Sequence, residues 1–87
     1  MQLGVYSLQK VLYRGEAIEV NCRTKNGEIT ILDHHEPLIS ILEKGAIKII
    51  SSDNKEHYVP VLSGFLEVNG KNEAKLLVEE AVELKHI

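Results

Sequence analysis

The sequence predicts an all-β fold: a flattened antiparallel β-sandwich of short strands, forming a single domain over residues 1–87. Three observations carry that prediction. From Ala17 to Arg23 apolar and polar residues alternate strictly, with Ile18, Val20 and Cys22 on one face and Glu19, Asn21 and Arg23 on the other. Turn-forming pairs separate apolar runs, so strands recur at intervals of roughly 8–12 residues. No segment shows the 3.6-residue recurrence of an amphipathic helix.

Taken in order, Leu3, Val5 and Tyr6 give a first strand and Val11-Leu12-Tyr13 a second, with Arg14-Gly15-Glu16 as a turn or bulge before the alternating strand. Lys25-Asn26-Gly27-Glu28 then reads as a type I′ turn, because Asn-Gly tolerates positive φ at both central positions. The chain returns through Ile29, Thr30 and Ile31. After Asp33-His34-His35-Glu36-Pro37 comes the short apolar run Leu38–Leu42, then a turn at Glu43-Lys44-Gly45 and a strand over Ala46–Ile50. Ser51 to Lys55 contains only turn formers and polar residues and predicts an exposed connection. Alternation resumes from His57 to Val61, with Pro60 marking an edge or bulge because it donates nothing to a ladder. Gly64 interrupts the run Val61–Val68, as expected where two strand segments meet at a bend. Asn69-Gly70-Lys71-Asn72 is a second hairpin turn, and Ala74–Val78 is the returning strand. Residues 79–85 fit either a strand end or one helical turn.

Composition narrows the class. A chain of 87 residues buries only about 60% of the surface its unfolded form exposes, enough for one core. Hydrophobic residues at 44% and charged residues at 26% exclude a disordered or fibrous chain. The net charge is −3, and the lysines and arginines are scattered among acids, so nucleic acid is not an expected partner. Cys22 is the single cysteine, which rules out an internal disulfide or a multi-cysteine zinc cluster and fits a reducing compartment. No N-terminal basic segment leads into an apolar run of signal length, and no stretch approaches the about 18 apolar residues of a membrane span, so the expectation is an intracellular protein, soluble by itself.

The stretch that looks most like chemistry is Asp33-His34-His35-Glu36. Imidazole and carboxylate suit zinc, manganese or iron. Adjacent residues of an extended chain point to opposite sides, however, so His34 and His35 do not readily share one ion, and no spacing rule recruits His57 or His86. Ser63-Gly64 lacks the strand-to-helix turn of a nucleophile elbow. Cys22 reads as a buried, inert thiol, and Tyr58 and Phe65 as core or half-core aromatics. No catalytic residue, metal ligand set or cofactor loop emerges. A solvated or partner-facing loop on a small binding module is the reading of the residues alone.

Beyond that reading, the order "VLYRGEAIEV", "NGEITILDHHEPLISILEKGAIKI", "YVPVLSGFLEV" resembles the N-terminal β-sandwich domain of the epsilon subunit of rotary ATP synthases, from about Leu3 to Val82. The family's G-x-x-G-I-L-P-G-H-A-P-L loop is similar to the segment ending Asp33-His34-His35-Glu36-Pro37-Leu38, which keeps His35, Pro37 and Leu38 but lacks the proline and glycine. Its G-x-I/L-x-I strand corresponds to Gly45–Ile49. Its S-G-G-x-x-E-V element corresponds to Ser63–Val68, one residue short. Relatives usually continue into a helical hairpin that brakes rotation; none follows Ile87 in this sequence, and the expectation is a chain without that brake.

The resemblance implies a non-catalytic rotor subunit of the central stalk. It would couple the gamma subunit to the c ring for proton- or sodium-driven ATP synthesis, peripheral to the cytoplasmic face of the inner membrane. By carry-over Glu28 would face the c-subunit loops and His35 the junction of gamma and ring, with Asp33, His34 and Glu36 added by adjacency. Two other readings stay open: a free-standing interaction module that has kept the sandwich, and a small metal-binding protein using His34 or His35.

Overall fold

A computed structural model describes residues 1–81. Seven strands form it: β1 (Gln2–Tyr6), β2 (Val11–Thr24), β3 (Gly27–Leu32), β4 (Leu38–Leu42), β5 (Gly45–Ser51), β6 (Glu56–Val68) and β7 (Glu73–Glu80). The undecided segment 79–85 continues as strand to Glu80, and its remainder from residue 82, with His86, lies outside the described residues.

The strands make one hydrogen-bonded network folded into two layers, as expected for a sandwich. In the first layer β2 lies between β3 and β5, and β5 pairs with the first half of β6. In the second, β4, the second half of β6, β7, β1 and the first half of β2 follow one another. All pairs are antiparallel except β1 with β7, which is parallel. That one pair departs from the predicted all-antiparallel arrangement, because β1 enters the sheet between β7 and β2 and can oppose only one of them.

Both long strands belong to both layers, and the sequence reads each as two pieces. The break expected at Arg14-Gly15-Glu16 is not a turn; β2 runs through it and changes partner, from β1 up to Glu16 to β5 from Ala17. A bulge between Ala17 and Glu19 slips the inward phase by one residue. Ala17, Val20 and Cys22 are buried as a result, whereas Ile18, which alternation alone would turn inward, is exposed. In β6 a bulge between Val61 and Ser63 does the same: Val59 and Val61 point inward before it, Leu66 and Val68 after it. The bend expected near Gly64 is there, without a break in the strand.

The layers close on Val20, Cys22, Ile31, Ile47, Ile49, Val59 and Val61 from one side and Leu3, Val5, Leu66, Val68, Leu76 and Val78 from the other. The Cys22 thiol is buried, and burial pushes its pKa up to about 11, the state of an inert thiol. Tyr58 and Phe65 correct the expectation of core aromatics, standing 59% and 57% exposed on outer faces. Ser51 is also not part of the exposed connection: it is the buried last residue of β5, its hydroxyl bonded to Asp53.

The hairpin forms, but one residue earlier than the expected Lys25–Glu28 turn: Thr24 lies opposite Gly27 and Cys22 opposite Ile29, so Lys25 and Asn26 are the central residues. Its turn is not type I′. Only Gly27 has positive φ, +113°, and the Thr24 hydroxyl donates to the Gly27 carbonyl at 2.7 Å while accepting from the Asn26 amide at 3.2 Å. Neither central residue, Lys25 or Asn26, has positive φ, and the Thr24 side chain brackets the turn instead.

Close strand approach explains Gly64. A Cβ there would collide with the Leu77 carbonyl oxygen and sit 3.0 Å from Val78 Cα. Gly64→Ala should therefore destabilise by about 1–3 kcal/mol, as overpacking does. Gly70→Ala, whose methyl meets only Pro37 Cγ at 3.9 Å, should cost less than about 1 kcal/mol. Urea denaturation of the two variants checks the contrast.

Candidate functional site

The Asp33–Glu36 loop joins β3 to β4 and is held from the far side of the fold. Asn72, 38 residues away, accepts the His34 backbone N–H on its Oδ1 at 2.7 Å and donates from Nδ2 to Asp33 Oδ1 at 3.3 Å. Asp33 also takes a hydrogen bond from the Met1 ammonium, which is bonded in addition to the Ala17 carbonyl at 2.9 Å and to Glu16 Oε2 at 3.4 Å. The loop is thus pinned to the β6–β7 hairpin end and to the chain start before β1. Sequence reasoning treats Asn72 as a turn former only; no local pattern reveals a contact made across 38 residues.

His34 adopts φ +61°, a left-handed conformation that costs a non-glycine residue about 1–2 kcal/mol. It falls where the resembling epsilon-type loop carries glycine, the residue that takes this conformation without that cost. His35 is half-buried. Its backbone N–H donates to the Leu32 carbonyl at 3.2 Å, and its ring Nδ1 meets the Glu36 carbonyl at 2.7 Å, which assigns the proton to Nδ1 and leaves Nε2 outward. Glu36 is exposed. Among the described residues no three histidine, cysteine or carboxylate side chains converge as a metal site.

Glu28 is not part of this cluster. It stands at the other end of β3, about five residues or 16 Å along the strand, opposite Arg23. The five candidate residues therefore occupy two places: Glu28 on an outer sheet face, and Asp33, His34, His35 and Glu36 on the loop.

A third surface feature is one the alternation pattern hides. Register partners Ile41, Phe65, Leu77, Tyr6 and Val11 run straight across β4, β6, β7, β1 and β2 on the outer face of the second layer. Ile41, Phe65, Leu77 and Val11 are 48–57% exposed. Beside them Ile39 is exposed, and it lines with Pro37, Leu38, Val68 and Gly70 an open groove of about 540 Å³ next to the loop. The signal was available: Leu38-Ile39, Ile41-Leu42, Phe65-Leu66 and Leu76-Leu77-Val78 are apolar in consecutive positions, which a strand with one wet face does not need.

Charge is arranged around the loop. Hydrogen bonds from the Met1 ammonium and from Asn72 hold the Asp33 carboxyl below its usual range. Burial works against the Met1 ammonium, yet Asp33 and Glu16 raise its pKa above the ordinary N-terminal value.

A compact two-layer β-sandwich with a braced polar loop at one end and an apolar outer face belongs to the class of small protein-interaction domains. The particular family is given by the sequence: residues 1–84 match the family described as the ATP synthase, Delta/Epsilon chain, beta-sandwich domain, and the chain belongs to it. It is 34% identical over 80 residues to the ATP synthase epsilon chain of Dichelobacter nodosus, spanning 92% of this chain and 55% of that one. Against the epsilon chain of Chlorobaculum tepidum it is 36% identical, over 90% of this chain and 88% of that one. The chain spans about half the length of several of the curated relatives it matches, and most of the length of the Chlorobaculum one. Among solved structures the fold is shared with a chain of the Euglena gracilis mitochondrial ATP synthase, at TM-score 0.87 and 23% identity over 99% of this chain and 56% of that one. A chain of the Tetrahymena thermophila mitochondrial ATP synthase central stalk and c ring matches at TM-score 0.77 and 16% identity, over 92% and 63%. Epsilon chains are structural and regulatory subunits, not catalytic ones.

Two outcomes follow for the loop. His34→Gly removes left-handed strain while keeping the backbone N–H bonded to Asn72, so it should leave stability unchanged or raise it by up to about 1 kcal/mol, glycine's extra unfolded-state entropy taking the balance; denaturant midpoints measure it. Asp33→Asn should lower the thermal midpoint at neutral pH. With Asp33 held low, its contribution is present above the ordinary aspartate range and lost as pH falls through the lowered value; with Met1 held high, the pair persists below the ordinary N-terminal range and is lost as pH rises through the raised value. The deficit should therefore vanish at both strongly acid and strongly alkaline pH, and a pH-independent deficit would contradict the ion pair.

Proposed function

We propose that this chain is a non-catalytic central-stalk subunit of an F-type ATP synthase, coupling the gamma subunit to the c ring so that proton- or sodium-driven rotation of the ring turns the shaft. Through that complex it sits peripherally at the cytoplasmic face of the inner membrane, with no insertion of its own. The observation that carries the reading is the apolar row Ile41–Phe65–Leu77–Tyr6–Val11, an in-register stripe across five strands on a face that alternation should make polar. Torque transmission needs an interface that does not slip. An apolar stripe on a rigid sheet, lined by a groove at one end, provides buried anchors for such an interface.

In this assignment the stripe and the neighbouring Pro37–Ile39 groove receive the foot of gamma. His35, Asp33, His34 and Glu36 lie at the junction of gamma and ring, and Glu28 meets a cation on the polar loops of the c subunits. Two polar sites at opposite ends of β3 suit a part that must hold two partners at once.

Phe65→Asp should abolish co-elution with the cognate gamma subunit on size exclusion, because it places a charge in the middle of the stripe. It should fold like the parent, since Phe65 is exposed. Retention of the complex by a folded Phe65→Asp variant would count against gamma on this face.

A further inference from the structure

Two Asn-Gly pairs lie at hairpin turns in this chain, Asn26-Gly27 and Asn69-Gly70, and the structure treats their side-chain amides in opposite ways. At Asn69 the amide is fixed. Its Oδ1 accepts the backbone N–H of Lys71 at 2.8 Å and that of Glu73 at 3.2 Å, and its Nδ2 donates to Glu73 Oε1 at 2.7 Å. Asn69 is also half-buried. At Asn26 the backbone is held instead, its N–H donating to Thr24 Oγ1 at 3.2 Å. Among the described residues the Asn26 side-chain amide has no hydrogen-bond partner, and both Asn26 and Gly27 are exposed.

The difference matters because an asparagine followed by glycine carries its own reaction. The backbone nitrogen of the next residue can add to the side-chain Cγ, and glycine has no Cβ to crowd the approach. Around Gly27 the space is open: a Cβ built there meets nothing within 4 Å. The Asn26 amide is free to rotate until Cγ faces the Gly27 nitrogen, and water reaches the turn from outside. For Asn69 the same rotation breaks three hydrogen bonds.

We propose that Asn26 is a site of spontaneous deamidation and that Asn69 is protected from it by its own hydrogen bonds. Hydroxide takes the Gly27 N–H proton, and the nitrogen's electron pair forms a bond to Asn26 Cγ. The Cγ–Nδ2 bond breaks and the amide leaves as ammonia, taking a proton from water and so regenerating hydroxide. Water then opens the five-membered imide at either carbonyl. Cleavage at Cγ leaves an aspartate; cleavage at the backbone carbonyl carbon leaves an isoaspartate, whose main chain runs through Cβ. Nothing is oxidised or reduced: one water enters and one ammonia departs. Either product adds a negative charge next to Glu28 in a chain whose net charge is already −3. The isoaspartate also lengthens the turn by one backbone atom, which pulls apart the Thr24 bracket on the Asn26 N–H and the Gly27 carbonyl. The inference stands on the geometry of the two turns and not on the rotor reading.

The test is ageing of the purified chain at mildly alkaline pH and physiological temperature, read by mass-spectrometric peptide mapping and by enzymatic methylation of isoaspartate. In the folded chain Asn26 should convert at least about tenfold faster than Asn69, whose three hydrogen bonds must break first. In denaturant the two sites should convert within about threefold of each other, each then being an unstructured Asn-Gly pair. Asn26→Gln should remove most of the isoaspartate from the folded chain, because the longer side chain forms a larger ring more slowly. Glu73→Ala, which takes away the Nδ2 partner, should speed Asn69 and leave Asn26 as it was. Equal rates at the two sites in the folded chain, or a faster Asn69, overturn the proposal. So does an Asn26 that converts only in denaturant, and an Asn69 rate unchanged by Glu73→Ala overturns the protection.

Discussion

The structure depends on two strands serving two layers. A single sheet of seven short strands would leave one apolar face wet. β2 and β6 avoid this by passing from one layer to the other, and each needs a one-residue slip at the crossing so that its inward set stays inward on both sides. Val20 and Cys22 on one strand, and Val61 followed by Leu66 on the other, are buried only because of those slips. Gly64 lies just past the second slip, where β7 comes so close that no side chain fits. Sandwich, core and close approach are consequences of the same bend.

That bend also determines what the surface can do. Because β6 is inward at Leu66, its neighbour Phe65 is outward, and the partners set by register carry the outward apolar positions from Ile41 to Val11 in one line. At the end of the same layer, the Asp33–Glu36 loop is stiffened by Asn72 and by the Met1 ammonium instead of by its own sequence. A loop braced this way keeps its exposed groups in place without a proline-glycine turn. On the opposite layer, Glu28, Arg23 and Lys44 line an open hollow beside Gly45 and Ala46. The domain offers one apolar and one polar surface, separated by a rigid core.

Much of this is legible in the sequence, and the failures have physical causes. The all-β class, the two Asn-Gly hairpins and the inert Cys22 follow from period-two alternation and turn chemistry, which are local. Ile18 was expected inward and is not, because a bulge is invisible to alternation. Phe65 and Tyr58 look like core aromatics only if each strand is assumed to have a single apolar face. The parallel β1–β7 pair and the Asn72 clamp are contacts between distant segments. The same distinction explains the site: Glu28 and the histidine loop are adjacent in sequence reasoning but lie at opposite ends of β3.

The central claim is mechanical, that this chain makes the shaft and the ring turn as one body. It is tested most directly by proton-driven ATP synthesis in vesicles reconstituted with a synthase that lacks this subunit, before and after the purified chain is added. The account predicts little synthesis without it and recovery on addition. Equal synthesis in its absence would contradict the claim.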